Sequence, residues 1–404
     1  MREIVKVLML SAMLCGLCAP TQANTTPDDP KSPGAAAEMP APAVTYPVSP
    51  GFMPVITQPL AQPAPQIARV ALLLPLRSEG LRKASEAIRA GFLAAYEYER
   101  SGIAVNVIDS GEATDEVLSN YLDALRNNEV VVGPLSRSAV SAVAESDAVS
   151  KPTIALNQPE QGDTVLPKKM LVMGLSIEDE ARQAASWANA NKPIGNAFVI
   201  SADASWQQRA AKAFMQKWQK MGREVQLIEL ETSAGYLSAN GLAHMKIKMQ
   251  NEKPALLFLA LDPQQAREAR MVAGKEIALF GTSQLNPVAL TDQSKTEPVP
   301  EFNGVRLLDL PWQVQADHAA VMIYPHLDVP ADQKRSADIE RLYALGIDAF
   351  RVAREIAMNN ASFEVDGVTG RLSVRFSPAA VRFDRIEQQA IFRDGVIVPV
   401  LKTP

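Results

Sequence analysis

Short, wholly apolar runs alternate along this chain with stretches whose apolar residues recur every three or four positions. Val70-Ala71-Leu72-Leu73-Leu74, closed by Pro75, predicts a buried parallel strand. Ile88, Phe92 and Tyr96 then share one helical face. Residues 103–108 predict a second strand, followed by a helix striped with Val117, Leu118, Tyr121, Leu122 and Leu125. Val130-Val131-Val132 predicts a third strand and Thr153-Ile154-Ala155-Leu156 a fourth. The unit then repeats. Ser176 starts a helix as its cap, with Glu178 and Asp179 in the first turn. Strands follow at 197–201, 225–230, 255–259 and 277–280, and Phe214 and Trp218 sit at i, i+4 on a helix between them. Such alternation implies right-handed crossovers and parallel sheets covered by helices on both faces. Two units of about 105 residues predict two lobes, 67–174 and 175–281, each with its own core.

The remainder, 282–404, does not begin a third unit. It predicts one strand at 305–310 and a long helix at 338–358 striped with Leu342, Leu345, Ala349, Val352 and Ile356. Short strands occupy 365–400, and Asp394-Gly395 makes a good hairpin turn. This tail is expected to return and complete both lobes. Several crossings would then form a hinge with a cleft between the lobes.

Ahead of the lobes the pattern is different. Arg2 and Lys6 precede an apolar stretch at 7–19, too short to span a bilayer as a helix, and Thr21-Gln22-Ala23 suits cleavage after Ala23. Residues 1–23 are therefore expected to be an export signal to the periplasm. Both cysteines, Cys15 and Cys18, fall inside it, so cleavage leaves a chain without thiols, suited to an oxidising compartment. A second reading stays open: lipidation of Cys15 or Cys18 would tether the chain to the outer membrane, although Leu14 and Leu17 stand where small residues usually precede such a cysteine. Residues 24–66 carry eleven of the 29 prolines. Proline fixes φ and removes a donor, so this stretch is expected to be an extended linker, read either as a spacer or as a dispensable disordered segment.

Composition narrows the chemistry. A formal net charge of -5 excludes the clustered basic footprint of a nucleic-acid partner. His244, His318 and His326 show no metal-ligand spacing; His318 and His326 flank Pro325 and read as solvated loop residues. No Ser-x-x-Lys occurs, and Gly281-Thr282-Ser283-Gln284-Leu285 lacks the second glycine of a nucleophile elbow. No catalytic residue, metal or cofactor is expected. The informative positions are the carboxyl ends of strands, where open α/β sheets bind ligands. They are Leu76, Arg77 and Ser78; Gly133 and Pro134; Asn157 and Gln158; Thr282, Ser283 and Gln284; and Asp309 with Trp312. These are the candidates for an interlobe cleft. Ordinary turn chemistry accounts for the same residues, and Trp312 reads equally as a lid on the core.

A set of strings in order carries a resemblance. Ala71-Leu72-Leu73-Leu74-Pro75-Leu76 and Ala90-Gly91-Phe92-Leu93-Ala94-Ala95-Tyr96 resemble the opening of type I periplasmic-binding folds. With Val132-Gly133-Pro134-Leu135, Gly174-Leu175-Ser176-Ile177-Glu178-Asp179, Gly281-Thr282-Ser283-Gln284, Asp309-Leu310-Pro311-Trp312, Arg341-Leu342-Tyr343-Ala344-Leu345-Gly346 and Gly367-Val368-Thr369-Gly370, the chain is similar over 67–400 to the C-terminal domain of the LppC/LpoA-type penicillin-binding protein activators. The resemblance implies a non-catalytic regulator, outer-membrane associated, that binds a class A penicillin-binding protein and stimulates peptidoglycan synthesis, with peptidoglycan itself a further partner. Longer members carry a helical-repeat domain ahead of this fold, where the Pro-rich stretch stands here. The alternative is a solute receptor of an ABC transporter holding a small ligand in the cleft. Amino-acid receptors of this fold place Ser, Ala and Thr after the fourth strand, whereas this chain has Leu156-Asn157-Gln158.

Overall fold

The computed structural model describes residues 67–401, except 162–163, 192, 291, 293–296, 331–334 and 379. The export signal expected at 1–23 and the linker expected at 24–66 lie outside the described residues. The first lobe opens with β1 (Ala68–Leu74), α1 (Arg82–Glu99), β2 (Ile103–Asp109), α2 (Thr114–Asn127), β3 (Val130–Val132), α3 (Arg137–Glu145), β4 (Thr153–Ala155) and β5 (Met170–Val172). Its strands form one parallel sheet in the order β2-β1-β3-β4-β5. The apolar runs form strands because both faces are covered: Ala71, Leu73 and Val131 pack under α2 and α3, while Leu72, Leu74 and Val132 pack under α1. The pattern does not announce β5, whose three residues follow Lys168 and Lys169 and are too few for a period.

The second lobe continues with α4 (Ile177–Ala190), β6 (Ala197–Ser201), α5 (Ser205–Lys220), β7 (Val225–Glu229), a small hairpin of β8 (Thr232–Ser233) and β9 (Tyr236–Leu237), α6 (Ala239–Glu252), β10 (Leu256–Ala260), α7 (Pro263–Ala273) and β11 (Ala278–Gly281). The tail adds β12 (Arg306–Asp309), α8 (Pro311–Val314), α9 (Ala319–Ile323), α10 (Ala337–Ala357), β13 (Ser362–Gly367), β14 (Gly370–Ser377), β15 (Ala380–Ile386), β16 (Gln388–Arg393) and β17 (Val396–Pro399). The second sheet runs β17-β16-β12-β11-β10-β6-β7. The expected two-lobed α/β architecture is present, with one difference from two all-parallel sheets. The hairpin β16–β17 joins β12 antiparallel and covers what would be an open edge.

The tail serves both lobes. Helices α8, α9 and α10 bury Trp312, Val321, Leu345 and Phe350 in the first lobe's core. Strands β13, β14 and β15 form a separate antiparallel sheet that adds Val365, Leu372 and Val374 to the same core. The chain passes between the lobes through 173–176, through Leu310 and through Glu387. Helix α10 is held hardest where it meets α1. Phe350 lies edge-on to Phe92 at 5.3 Å and to Tyr96 at 5.7 Å. Gly91 and Gly346 let the two backbones touch: a Cβ on Gly346 would stand 2.1 Å from the Ile88 carbonyl oxygen, and one on Gly91 would stand 1.9 Å from that of Tyr343.

Neither backbone can yield without moving a whole helix. Gly346→Ala should therefore destabilise the fold by about 3 kcal/mol despite alanine's better helix propensity. An unchanged urea midpoint in that variant would show that the helices are not packed this closely.

Candidate functional site

The candidate residues fall into sets with separate partners. At the first lobe's sheet ends, the Leu76 amide donates to Asp109 Oδ1 at 3.0 Å, and the exposed Arg77 pairs with Asp109 and, at 3.4 Å, with Glu116. Burial opposes ionisation of Asp109, but the Arg77 guanidinium and the amides of Gly111 and Leu76 outweigh it and hold the carboxyl below its usual range. Ser78 Oγ accepts from the Leu81 amide just ahead of α1. Gly133 and Pro134 are joined by a cis peptide; the Gly133 amide donates to the Ile154 carbonyl and the Pro134 carbonyl accepts from Leu156. Asn157 donates to the Leu135 carbonyl at 3.1 Å and accepts from the Gln158 amide at 2.9 Å. Gln158 lines a polar cavity of about 290 Å³, shared with Arg182, Gln183, Arg385 and Glu387.

The second set meets at the crossings. The Ser283 amide and hydroxyl donate to the two oxygens of Glu180, at 2.7 and 3.0 Å. Arg341, from the first turns of α10, donates to both carboxylate oxygens of Asp309, at 3.0 and 2.8 Å, and to the carbonyls of Ser283 and Asn286. Asn286 adds a bond to Asp309 at 2.9 Å. Asp309 is 0% exposed and Arg341 5%. Thr282 is buried beside this group, and Gln284 is half-buried in the short turn Ser283–Leu285. Trp312 is buried in the first lobe's core and donates to Glu340 at 2.9 Å. At the third crossing, Arg385 donates to the carbonyls of Met173 and Gly174 and to the Thr369 hydroxyl, and the Glu387 amide donates to Gln183.

Two expectations about histidine change. His318 caps α9 by accepting from the Ala320 amide, and the His326 ring lies 4.4 Å from that of Trp312; neither is a free loop residue. The residues that organise the crossings, Glu180, Arg341, Arg385 and Glu387, were not singled out from the sequence. One signal was available: Arg341 and Asp348 share a helical face with Leu345 and Val352, so charge interrupts an otherwise apolar stripe.

Each crossing thus carries one buried carboxylate, Glu180, Asp309 and Glu387, and the guanidiniums Arg341 and Arg385 face them. Burial pushes the Glu180 carboxyl up to about 7, against the hydrogen bonds from Ser283 and with the Asp309 charge adding to the rise. Burial also raises Glu387 well above its ordinary value, and the nearby Glu180 charge adds to it. Burial penalises the Arg341 charge, but Asp309, Asp338 and Glu180 together raise its pKa.

A carboxyl raised in the folded state keeps a proton that the unfolded chain has lost. Between the ordinary value of 4.5 and about 7, Glu180 therefore makes stability fall as pH rises. Glu180→Gln should flatten that fall in urea melts taken across the interval; an equal slope in the variant would exclude Glu180 as its source. Arg341→Met strands Asp309 and should cost about 3–5 kcal/mol, read from the same melts.

Comparison with known proteins places these features. Residues 50–383 match the family described as "LppC putative lipoprotein". The penicillin-binding protein activator LpoA of Photobacterium profundum is 26% identical over 345 residues, covering 76% of this chain and 54% of that protein. The chain spans about half the length of the curated relatives it matches. A solved structure from Chromobacterium violaceum, described as "a putative branched-chain amino acid ABC transporter", is 30% identical with a TM-score of 0.66, covering 80% of this chain and 100% of that one. The LpoA C-domain from Haemophilus influenzae, described as a regulator of PBP1A, shares the fold at 22% identity and a TM-score of 0.65, covering 83% of this chain and 100% of that one.

Proposed function

Because the chain belongs to the LppC family, we propose that it is a non-catalytic periplasmic regulator that binds and activates a class A penicillin-binding protein in peptidoglycan synthesis. The relatives named as penicillin-binding protein activators support the role. The lipoprotein description of the family supports an envelope location, with the outer membrane as the anchor if Cys15 or Cys18 is acylated.

The observation that carries this reading is the occupancy of the crossings by the protein's own side chains. A solute receptor offers small polar groups at the sheet ends and closes its lobes around the ligand. Here Ser283 is committed to Glu180 through both its amide and its hydroxyl, and Asp309 is committed to Arg341 and Asn286. These groups are buried and satisfied without a ligand. Peptidoglycan, as a polymer, would meet the outer surface of the lobes rather than this interior.

The receptor reading is kept for one reason, the description of the Chromobacterium violaceum structure. One experiment separates the two. The exported chain should retain a solubilised class A penicillin-binding protein in a pull-down and raise its rate of glycan polymerisation. It should show no thermal shift with a panel of amino acids. Loss of the first result together with a saturable thermal shift would make it a solute receptor.

A further inference from the structure

The third crossing leaves a buried group unmet. Glu387 is 5% exposed, and its Oε2 is buried without a hydrogen-bond partner among the described residues. A buried acceptor left unmet costs stability, so each such case in a folded chain asks for a reason. The positive charge that acts on it is Arg385, yet among the described residues the two form no hydrogen bond or ion pair. Arg385 instead spends three of its five N–H groups on neutral oxygens, the Thr369 hydroxyl and the Gly174 and Met173 carbonyls. Its guanidinium lies over the Phe383 ring at 5.2 Å, which fixes its position.

Both side chains line the polar cavity of about 290 Å³, close to the lower end of the range for small-ligand sites. Gln158 belongs to its wall and the other strand-end candidates do not, so it is a place apart from the expected cleft. Its wall joins both lobes: Gln158, Phe383 and Arg385 come from the first, Gln183 of α4 and Lys217 of α5 from the second. Arg182, Ser186 and Asp384 on its rim are exposed, so it opens to solvent.

The wall defines what can occupy it. Its charges cancel, Asp179, Asp384 and Glu387 against Arg182, Lys217 and Arg385, so it selects neither a free cation nor a free anion. Arg385 and Glu387 together ask for a group that accepts from an N–H and gives a proton to a carboxyl oxygen; a hydroxyl does both. Burial holds the Glu387 carboxyl well above its ordinary value, which favours the neutral form. A neutral carboxyl exchanges hydrogen bonds with a hydroxyl but offers an ammonium no charge to pair with. The side-chain amide of Gln158 has no hydrogen bond among the described residues, and Gln183 uses its oxygen alone, on the Glu387 amide. Val172 and Phe383 add an apolar patch against which the C–H face of a ring can lie.

We propose that this cavity is a binding site for a small neutral polyhydroxylated ligand, the size of one sugar ring, with a hydroxyl bridging Arg385 and Glu387. A ligand seated there touches both lobes and so stabilises one arrangement of them. The site does not depend on the function proposed above.

The test titrates the exported chain with glucose, galactose and N-acetylglucosamine by calorimetry, with glycine as a zwitterionic control. At least one sugar should bind saturably and raise the thermal midpoint, and glycine should do neither. Glu387→Ala should weaken that sugar at least about tenfold. Glu387→Gln, which still exchanges hydrogen bonds with a hydroxyl, should bind within about threefold of the wild type. Gln158→Ala loses no hydrogen bond of the fold and should also weaken the sugar, which keeps the site testable if Glu387→Ala does not fold. Equal losses in Glu387→Ala and Glu387→Gln, or binding of glycine in place of the sugars, would overturn the hydroxyl bridge. Full affinity in both Glu387→Ala and Gln158→Ala would put the sugar elsewhere and overturn the site. No saturable binding by any of the three sugars would overturn it as well, leaving a cavity that holds ordered water only. None of these outcomes touches the pull-down with the synthase, so the function proposed above stands or falls separately.

Discussion

Arg341 reaches from α10 in the first lobe to Asp309 at the end of β12 in the second, and the rest of the crossing region is arranged around that pair. Removing two such ions from water costs several kcal/mol each, and their attraction offsets this only when every remaining donor and lone pair is met. Here they are met. Arg341 also reaches the Ser283 and Asn286 carbonyls and Asp338, while Asp309 receives Asn286 and the Leu310 amide. Ser283, drawn in by its carbonyl, presents its amide and hydroxyl to Glu180 at the start of α4. One buried guanidinium thereby links α10, β12, the turn after β11 and α4. These segments belong to both lobes and to two of the three crossings.

This arrangement bears on what the lobes can do. In a fold that closes around a ligand, the polar groups at the sheet ends are left for the ligand to satisfy. Here Ser283 and Asp309 of the second lobe are consumed internally, and the first lobe's loops, from Leu76 to Asn157, are bonded to their own strands and to Asp109. The fold keeps the receptor's outline and fills the receptor's contact points with its own chain. The sheet β13–β14–β15 is the contrasting region. It buries one face and presents the other, where arginines stand opposite each other and two of them lack a partner among the described residues.

Much of this was legible in the chain alone. Runs such as Val70–Leu74 and the stripes of α1, α2 and α10 specify elements because a buried strand and an amphipathic helix each have a period that no other arrangement satisfies. Their alternation, with the repeat and the unmatched tail, specified two lobes and returning segments. The short elements β5, β8 and β9 were not legible, since two or three residues carry no period. The strand-end positions were legible, because strand ends follow from strands. That they would divide between two sets of partners could not be read from them.

What only the tertiary structure decided is which charges are buried together. Arg341 finds Asp309 across 32 positions of chain, and Ser283 finds Glu180 across 103. Local periodicity has no reach over such separations. A charge on a helix face reads as solvated until the sheet and turn that cover it are in place. The sequence by itself determined the longer elements and their order, because those depend on neighbours within a few turns. The buried charges at the crossings and the exposed sheet face depend on burial, and burial is a property of the assembled lobes.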